Sequence, residues 1–369
     1  MRTDPLVLNL LRCPSCGGRV SLTVAARDAD GHVMEGTLTC AGCATVYPIR
    51  RGIPRMMPNA LTNDVVQTVD AFGWQWQQAS RILKDPRFSA PEVFLDFIHP
   101  VRSEWFRGKV VLDAGCGLGR FTVASSQFGA KLVVAVDLST SVDLVFENTR
   151  HLPNVLVVQA DILRLPLARA IDYGFSVAVL HHTADPRGAF LHLVSKVVPG
   201  GSVSAWVYGR ENNGWIINVV NPIRQVTSRL PRRLLLAASY AAAIPLTAVV
   251  KGIYGPVDRR PGLAWLRRRL FYADYLAFLA QFDYATLAII VFDHMVPTIA
   301  EYIPREDFAE WFEAAHLVDV VITMRGGNSW RGFAGVSYSS EQMPVPRSTE
   351  LAADDERPAA EAHAPRTRR

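Results

Sequence analysis

Val110-Val-Leu-Asp-Ala-Gly-Cys-Gly-Leu-Gly-Arg120 decides the fold. A short apolar run ends in an acid, a Gly-x-Gly-x-Gly turn follows, and a helical pattern begins behind it. Gly115, Gly117 and Gly119 allow a tight turn and leave room for a ligand against the main chain. The spacing differs from the dinucleotide fingerprint G-x-G-x-x-G, and Asp113 stands before the first glycine. A pyrophosphate would be repelled there, whereas a cationic amino-acid ligand would not.

Working outward, further apolar runs follow at helix-length intervals: Lys131 to Asp137, Val155 to Gln159, Phe175 to Leu180 and Ser202 to Tyr208. Near-continuous apolar strands of this kind belong to parallel sheets covered on both faces. The expected fold is therefore α/β, a Rossmann-like, doubly wound, mostly parallel sheet. Asp137 ends the second strand, where a carboxylate can accept both hydroxyls of a ribose. Asp161 follows the third, where it can accept a hydrogen bond from an adenine amino group. Acids at three successive strand ends mark a ligand crevice; the alternative for any one of them is a helix N-cap.

Cys13-Pro-Ser-Cys16 and Cys40-Ala-Gly-Cys43 form two Cys-x-x-Cys pairs. Four thiolates at this spacing bind structural zinc in a closed tetrahedral shell, and in so small a unit the metal supplies folding energy. A rubredoxin-like iron site and a redox dithiol are the rivals. Five cysteines are too few for a disulfide scaffold, and their pairing reads as a reducing compartment. A hydrophobic content of 49% with 20% charged residues excludes a disordered chain. The apolar run Leu6 to Leu11 lacks a cleavage site and is not read as a secretory signal.

Six zones result: the ribbon (1–58), an aromatic-rich helical lid or linker (59–107), the sheet core (108–208), a helical basic cap (209–290), a closing unit (291–340) and a disordered tail (341–369). Phe72-Gly-Trp-Gln-Trp76 in the lid covers a ligand or packs into the core. The cap holds eleven basic and two acidic residues between Arg210 and Leu270, so a negatively charged partner is met there. Leu234 to Val250, 17 uncharged residues including Pro245, is marginal for spanning a bilayer of roughly 30 Å. Flanked by arginines across 224–271, it reads as a peripheral membrane element or as a buried hairpin. The expected setting is cytoplasmic, with membrane association as a second option.

These motifs resemble the class I S-adenosylmethionine-dependent methyltransferases, in particular the branch holding quinone-biosynthesis enzymes. Asp113 to Arg120, Val136 to Ser139, Gln159 to Pro166, Val179 to Pro186 and Val198 to Gly201 follow in that family's order. The ribbon is similar to those preceding many bacterial methyltransferase domains. The resemblance implies S-adenosylmethionine held by Asp113, Ala114, Gly115, Cys116, Gly117, Gly119, Asp137, Leu138, Ala160, Asp161, Ile162 and Leu180. It implies in-line displacement at the sulfonium methyl, in which the protein aligns the nucleophile and excludes water. His182, His181 and His294 are the candidate bases, with Asp293 beside the last; the histidine pair could equally shape the pocket, and Asp293-His294 could cap a helix. The apolar cap favours O-methylation of a small-molecule or lipid-like acceptor. An RNA base acceptor, gripped by ribbon and cap, ranks second because aromatics for base stacking are sparse in the cap, where Trp265 and Tyr254 stand alone. A non-catalytic donor-binding scaffold is the third reading.

Overall fold

The computed structural model describes residues 1–57, 61–78 and 90–337. The join near residue 58 and the tail 341–369 lie outside these residues. Four strands form the ribbon: β1 (Val20–Arg27), β2 (Val33–Cys40), β3 (Val46–Arg50) and β4 (Ile53–Met56). Seven more form the core: β5 (Val110–Ala114), β6 (Leu132–Asp137), β7 (Val155–Ala160), β8 (Ile171–Val177), β9 (Val197–Tyr208), β10 (Leu317–Arg325) and β11 (Ser329–Val336). They make one sheet in the order β1-β2-β3-β4-β7-β6-β5-β8-β9-β11-β10. From β4 to β9 the core pairings are parallel, and β11 enters antiparallel beside β9. The order reverses between β5 and β8, which opens the crevice at their C-terminal ends.

Because side chains alternate across a strand, β5 to β7 feed two cores. Leu112, Val134 and Val158 face a core shared with the ribbon's Leu10, Val33 and Leu38. Val111, Val133 and Val157 face an aromatic core of Phe94, Phe106, Phe121 and Phe175. The ribbon is thus knitted in: β4 pairs with β7, the Arg12 amide donates to the Pro166 carbonyl, and Ala168 donates to Leu10. Arg55 on β4 reaches Asp143 at 2.6 Å and Gln159 at 2.9 Å.

Two expectations need correction. The fourth core strand ends at Val177 instead of Leu180, because Ala178 takes a left-handed φ of +63° and Leu180–His182 winds into a 3₁₀ turn. The closing unit also contains a second strand, β11, that the hydropathy pattern hid. Gly332 and Gly335 interrupt its apolar run, and Gly332 is needed where Phe312 packs: a Cβ there would lie 2.4 Å from the ring.

After β9 the chain leaves the sheet at Gly209, which bridges Ile303, so the helical insert is closed at its base. Asp283 caps the insert's helix Tyr284–Met295 by accepting from the Thr286 amide at 2.8 Å. The lid helix Asn63–Gln78 lies against it: Trp74 packs on Phe292, and Gln75 donates to Asp293 at 2.7 Å.

Candidate functional site

The glycine loop sits at the reversal point of the sheet. Gly115, Gly117 and Gly119 all take left-handed φ values, +88°, +52° and +78°. At Gly115 the reason is also steric, since a Cβ would lie 2.2 Å from Val179. At Gly117 the space is open to van der Waals distance from Trp76 of the lid, so the bare main chain there faces a ring rather than a packed wall.

The three acids lie at the ends of β5, β6 and β7. Asp113 is buried and accepts from the Thr122 hydroxyl at 2.6 Å. Burial raises its pKa to about 7; the Thr122 bond opposes this and the charge on Asp137 adds to it. Asp137 accepts from the Gly117 amide at 2.9 Å and from the Ser139 amide and hydroxyl at 2.8 and 2.7 Å. Asp161 caps the turn Ile162–Arg164 through the Leu163 amide at 2.9 Å, so it takes the cap role weighed above. Burial raises its pKa as well. Ala114, Ala160, Ile162 and Leu180 are buried around this crevice, the Leu138 carbonyl accepts from the Gln159 side-chain amide at 3.0 Å, and Cys116 is buried with its thiol pushed up by desolvation. Glycine main chain, a carboxylate at the second strand end and apolar walls fit an adenosyl amino-acid ligand.

His182 has its Nδ1 2.7 Å from the Ile299 carbonyl, so Nδ1 carries the proton and Nε2 is the free base. Burial lowers its pKa to about 4, leaving it neutral at physiological pH. Phe72 of the lid packs edge-on against it at 5.0 Å. His181 is fully buried against Tyr208, neither ring nitrogen has a partner, and burial holds its pKa well below the ordinary range. It shapes the wall. His294 faces the Tyr275 hydroxyl at 2.8 Å.

Beside this lies a cavity of about 370 Å³ that brings together Trp206 and Tyr208 of β9, Tyr275, Asp293 and His294 of the insert, and Tyr302. The Trp206 Nε1 and Tyr302 hydroxyl are buried without partners, which suits a ligand with polar edges. At its mouth Asp96 pairs with Arg325 and with Arg331. Sequence reasoning found only Asp293 and His294 here. The available signal was the i, i+2 pair Trp206 and Tyr208 at the C-terminal end of a parallel strand; Tyr275, Tyr302 and Asn213 come from separate segments and carry no local signature.

The four ribbon cysteines converge, with all Sγ atoms within 4.8 Å of one another. Cys13 lies 3.6 Å from Cys43 and Cys16 lies 3.4 Å from Cys40, and the Gly42 amide donates to Cys40. Cys13, Cys16, Cys40 and Cys43 would hold a zinc ion as a closed structural centre, and the residues fit it.

Residues 112–205 match the family model of the methyltransferase domain. The chain carries a methyltransferase domain. Residues 4–52 of the same chain match the model of Trm112p-like proteins. A tRNA U34 carboxymethyltransferase of Pseudoalteromonas translucida is 26% identical over 43% of this chain and 44% of its own length. The mitochondrial ubiquinone biosynthesis O-methyltransferase of Schizosaccharomyces pombe is 31% identical over 35% of this chain and 47% of its own. A solved SAM-dependent methyltransferase from Aquifex aeolicus superposes with a TM-score of 0.40 at 14% identity, over 71% of this chain and 98% of that one. The chain spans under half the length of these curated relatives. The quinone-biosynthesis branch expected above is not singled out: the Trm112p-like segment and the tRNA-modifying relatives speak for a different one.

Proposed function

We propose that this protein transfers a methyl group from S-adenosylmethionine to a base in RNA. This reverses the order of acceptors expected from the sequence. The observation that carries the reading is the aromatic cavity beside the donor crevice. Tyr208 stacks over Tyr302 at 5.6 Å, and Asp293, His294 and Asn213 stand around them. A planar heterocycle can stack on such rings while its edge meets the orphaned Trp206 and Tyr302 groups. The tRNA-modifying relatives and the Trm112p-like segment support it.

The donor brings an activated methyl group. The chain's residues hold it, orient the acceptor and exclude water, and the neutral His182 Nε2 takes a proton from the attacking group when one must leave. The zinc centre stabilises the ribbon. We place the protein in the cytoplasm, since a cysteine set of this kind needs reducing conditions.

A second reading, a lipid-like acceptor, is favoured by the exposed apolar side chains of the insert. Tritiated donor, offered with total RNA and with a lipid extract, separates the two. Label in nucleosides after digestion supports the proposal, and label confined to the organic phase transfers it to the second reading. Failure of the intact protein to bind S-adenosylhomocysteine would end both.

A further inference from the structure

The outward face of the insert is apolar where a water-facing surface should be polar. The helical run Arg232–Asp258 is long and apolar enough to cross a membrane, with a mean hydropathy of 1.7, yet only 22% of that window is buried. Between Arg233 and Lys251 the exposed residues are Leu234, Ile244, Pro245, Val249 and five alanines, without one polar side chain. That bare strip is about 25 Å long at the helical rise. The opposite face, Leu235, Ala243 and Val250, is buried, with Ala243 and Val250 in one core with Leu279, Phe282 and Leu287. A helix so held lies on a surface and does not span it.

A second helical stretch, 215–226, carries a narrower apolar strip with the exposed Asn218 and Gln225 along its flank. Ile216, Val220 and Arg224 are buried, while Trp215, Val219, Ile223 and Val226 stand exposed at i, i+4, i+8 and i+11, Val226 by 65%. Trp215 also meets the exposed Phe271 ring. Around both strips, Arg229, Arg233, Lys251, Arg259, Arg260, Arg268 and Arg269 are exposed.

We propose that the insert docks on an anionic lipid bilayer, laying both apolar strips among the acyl chains with its arginines at the phosphates. The reasoning is charge complementarity. An RNA would satisfy the arginines and leave Ile244 or Val226 in water; a second copy would cover the apolar side chains but press two basic rims together. Only an anionic bilayer meets both features. The inference is independent of the acceptor, and so is its test.

Full-length protein is floated with phosphatidylcholine vesicles, with and without phosphatidylglycerol. The expected result is flotation with the anionic vesicles only, weakening as salt rises, and weakening by roughly fivefold for each of Arg233 and Arg260 changed to Gln. Leu234→Glu with Ile244→Glu abolishes flotation at an unchanged thermal midpoint, whereas Ile244→Leu retains it. Three results would overturn the proposal: no flotation with either vesicle, flotation that survives the paired Glu substitutions, or a dimer at working concentration that those substitutions dissociate while flotation is absent. RNA binding through the same arginines, indifferent to the Glu substitutions and without flotation, overturns it too.

Discussion

At the residue scale, Gly115 and Asp113 show how much one position can carry. At Gly115→Ala the new Cβ meets Val179 at 2.2 Å while φ stays at +88°. The two penalties together amount to about 2–4 kcal/mol. Denaturant unfolding should register that loss, and S-adenosylhomocysteine binding should vanish with it. Gly117→Ala, whose Cβ would stand in ordinary contact with the Trp76 ring at 3.6 Å, should keep the fold and bear only the strain of its left-handed φ. Asp113 gives a pH signature. Its pKa is raised to about 7 from an ordinary 3.8, so across that interval the folded chain keeps a proton that the unfolded chain has lost. This group's contribution therefore falls as pH rises through the interval. Relative to wild type, Asp113→Asn should gain stability at about pH 8 and little at about pH 4, and urea titrations at both values read the difference. A gain that is the same at both would contradict the buried, protonated carboxyl. The three glycines and three acids were legible in the sequence because each stands at the end of an apolar strand run or in the turn directly behind one, although their partners lie further off, as the bond from Gly117 to Asp137 shows. The roles were less so: Asp161 turned out to cap its own turn, which only the position of the Leu163 amide could tell.

At the scale of elements, the ribbon and the core depend on each other. β4 covers the edge of β7, and Arg55 joins the two through Asp143 and Gln159, its side chain mostly buried. Arg55→Ala leaves the Gln159 side-chain oxygen without its donor and Asp143 with Arg51 alone, at 3.0 Å, and should cost about 1–2 kcal/mol, seen as a lower thermal midpoint. Metal removal acts on the same seam. A chelator strong enough to strip the four thiolates should unfold the ribbon and uncover β7, so the whole protein's midpoint should fall; a midpoint unmoved by verified zinc loss would show the ribbon is held by packing alone. The cysteine pattern revealed the metal set but not the docking, since β-strand pairing depends on edges that far-apart segments present to one another. β11 escaped for a related reason: Gly332 is there for the Phe312 ring above it, and such a glycine weakens the very pattern by which strands are recognised.

At the scale of the molecule, donor crevice, aromatic cavity and lid form one assembly. The lid's Trp76 faces the glycine loop, Phe72 packs on His182, and Gln75 ties the same helix to Asp293 of the insert. Donor binding should therefore stabilise the entire fold, by about 2.7 kcal/mol at roughly 100 times Kd. Trp76→Ala should weaken S-adenosylhomocysteine by roughly tenfold in calorimetry and also lower the ligand-free midpoint, since the ring packs on Phe72 and Ile289; an unaltered affinity would remove the lid role.

The mostly parallel sheet, the loop-and-acid crevice and the cysteine set could all be read along the chain, because each rests on local periodicity or on residues spaced for one turn. The acceptor cavity could not. Tyr208, Tyr275 and Tyr302 stand on a strand, a helix and a loop far apart in the chain, and each alone looks like an ordinary core aromatic. Which apolar helix faces stay bare was equally hidden, since hydropathy counts side chains without knowing what lies against them. Both depend on where distant segments come to rest, and that is settled only when the folded chain has distributed its burial.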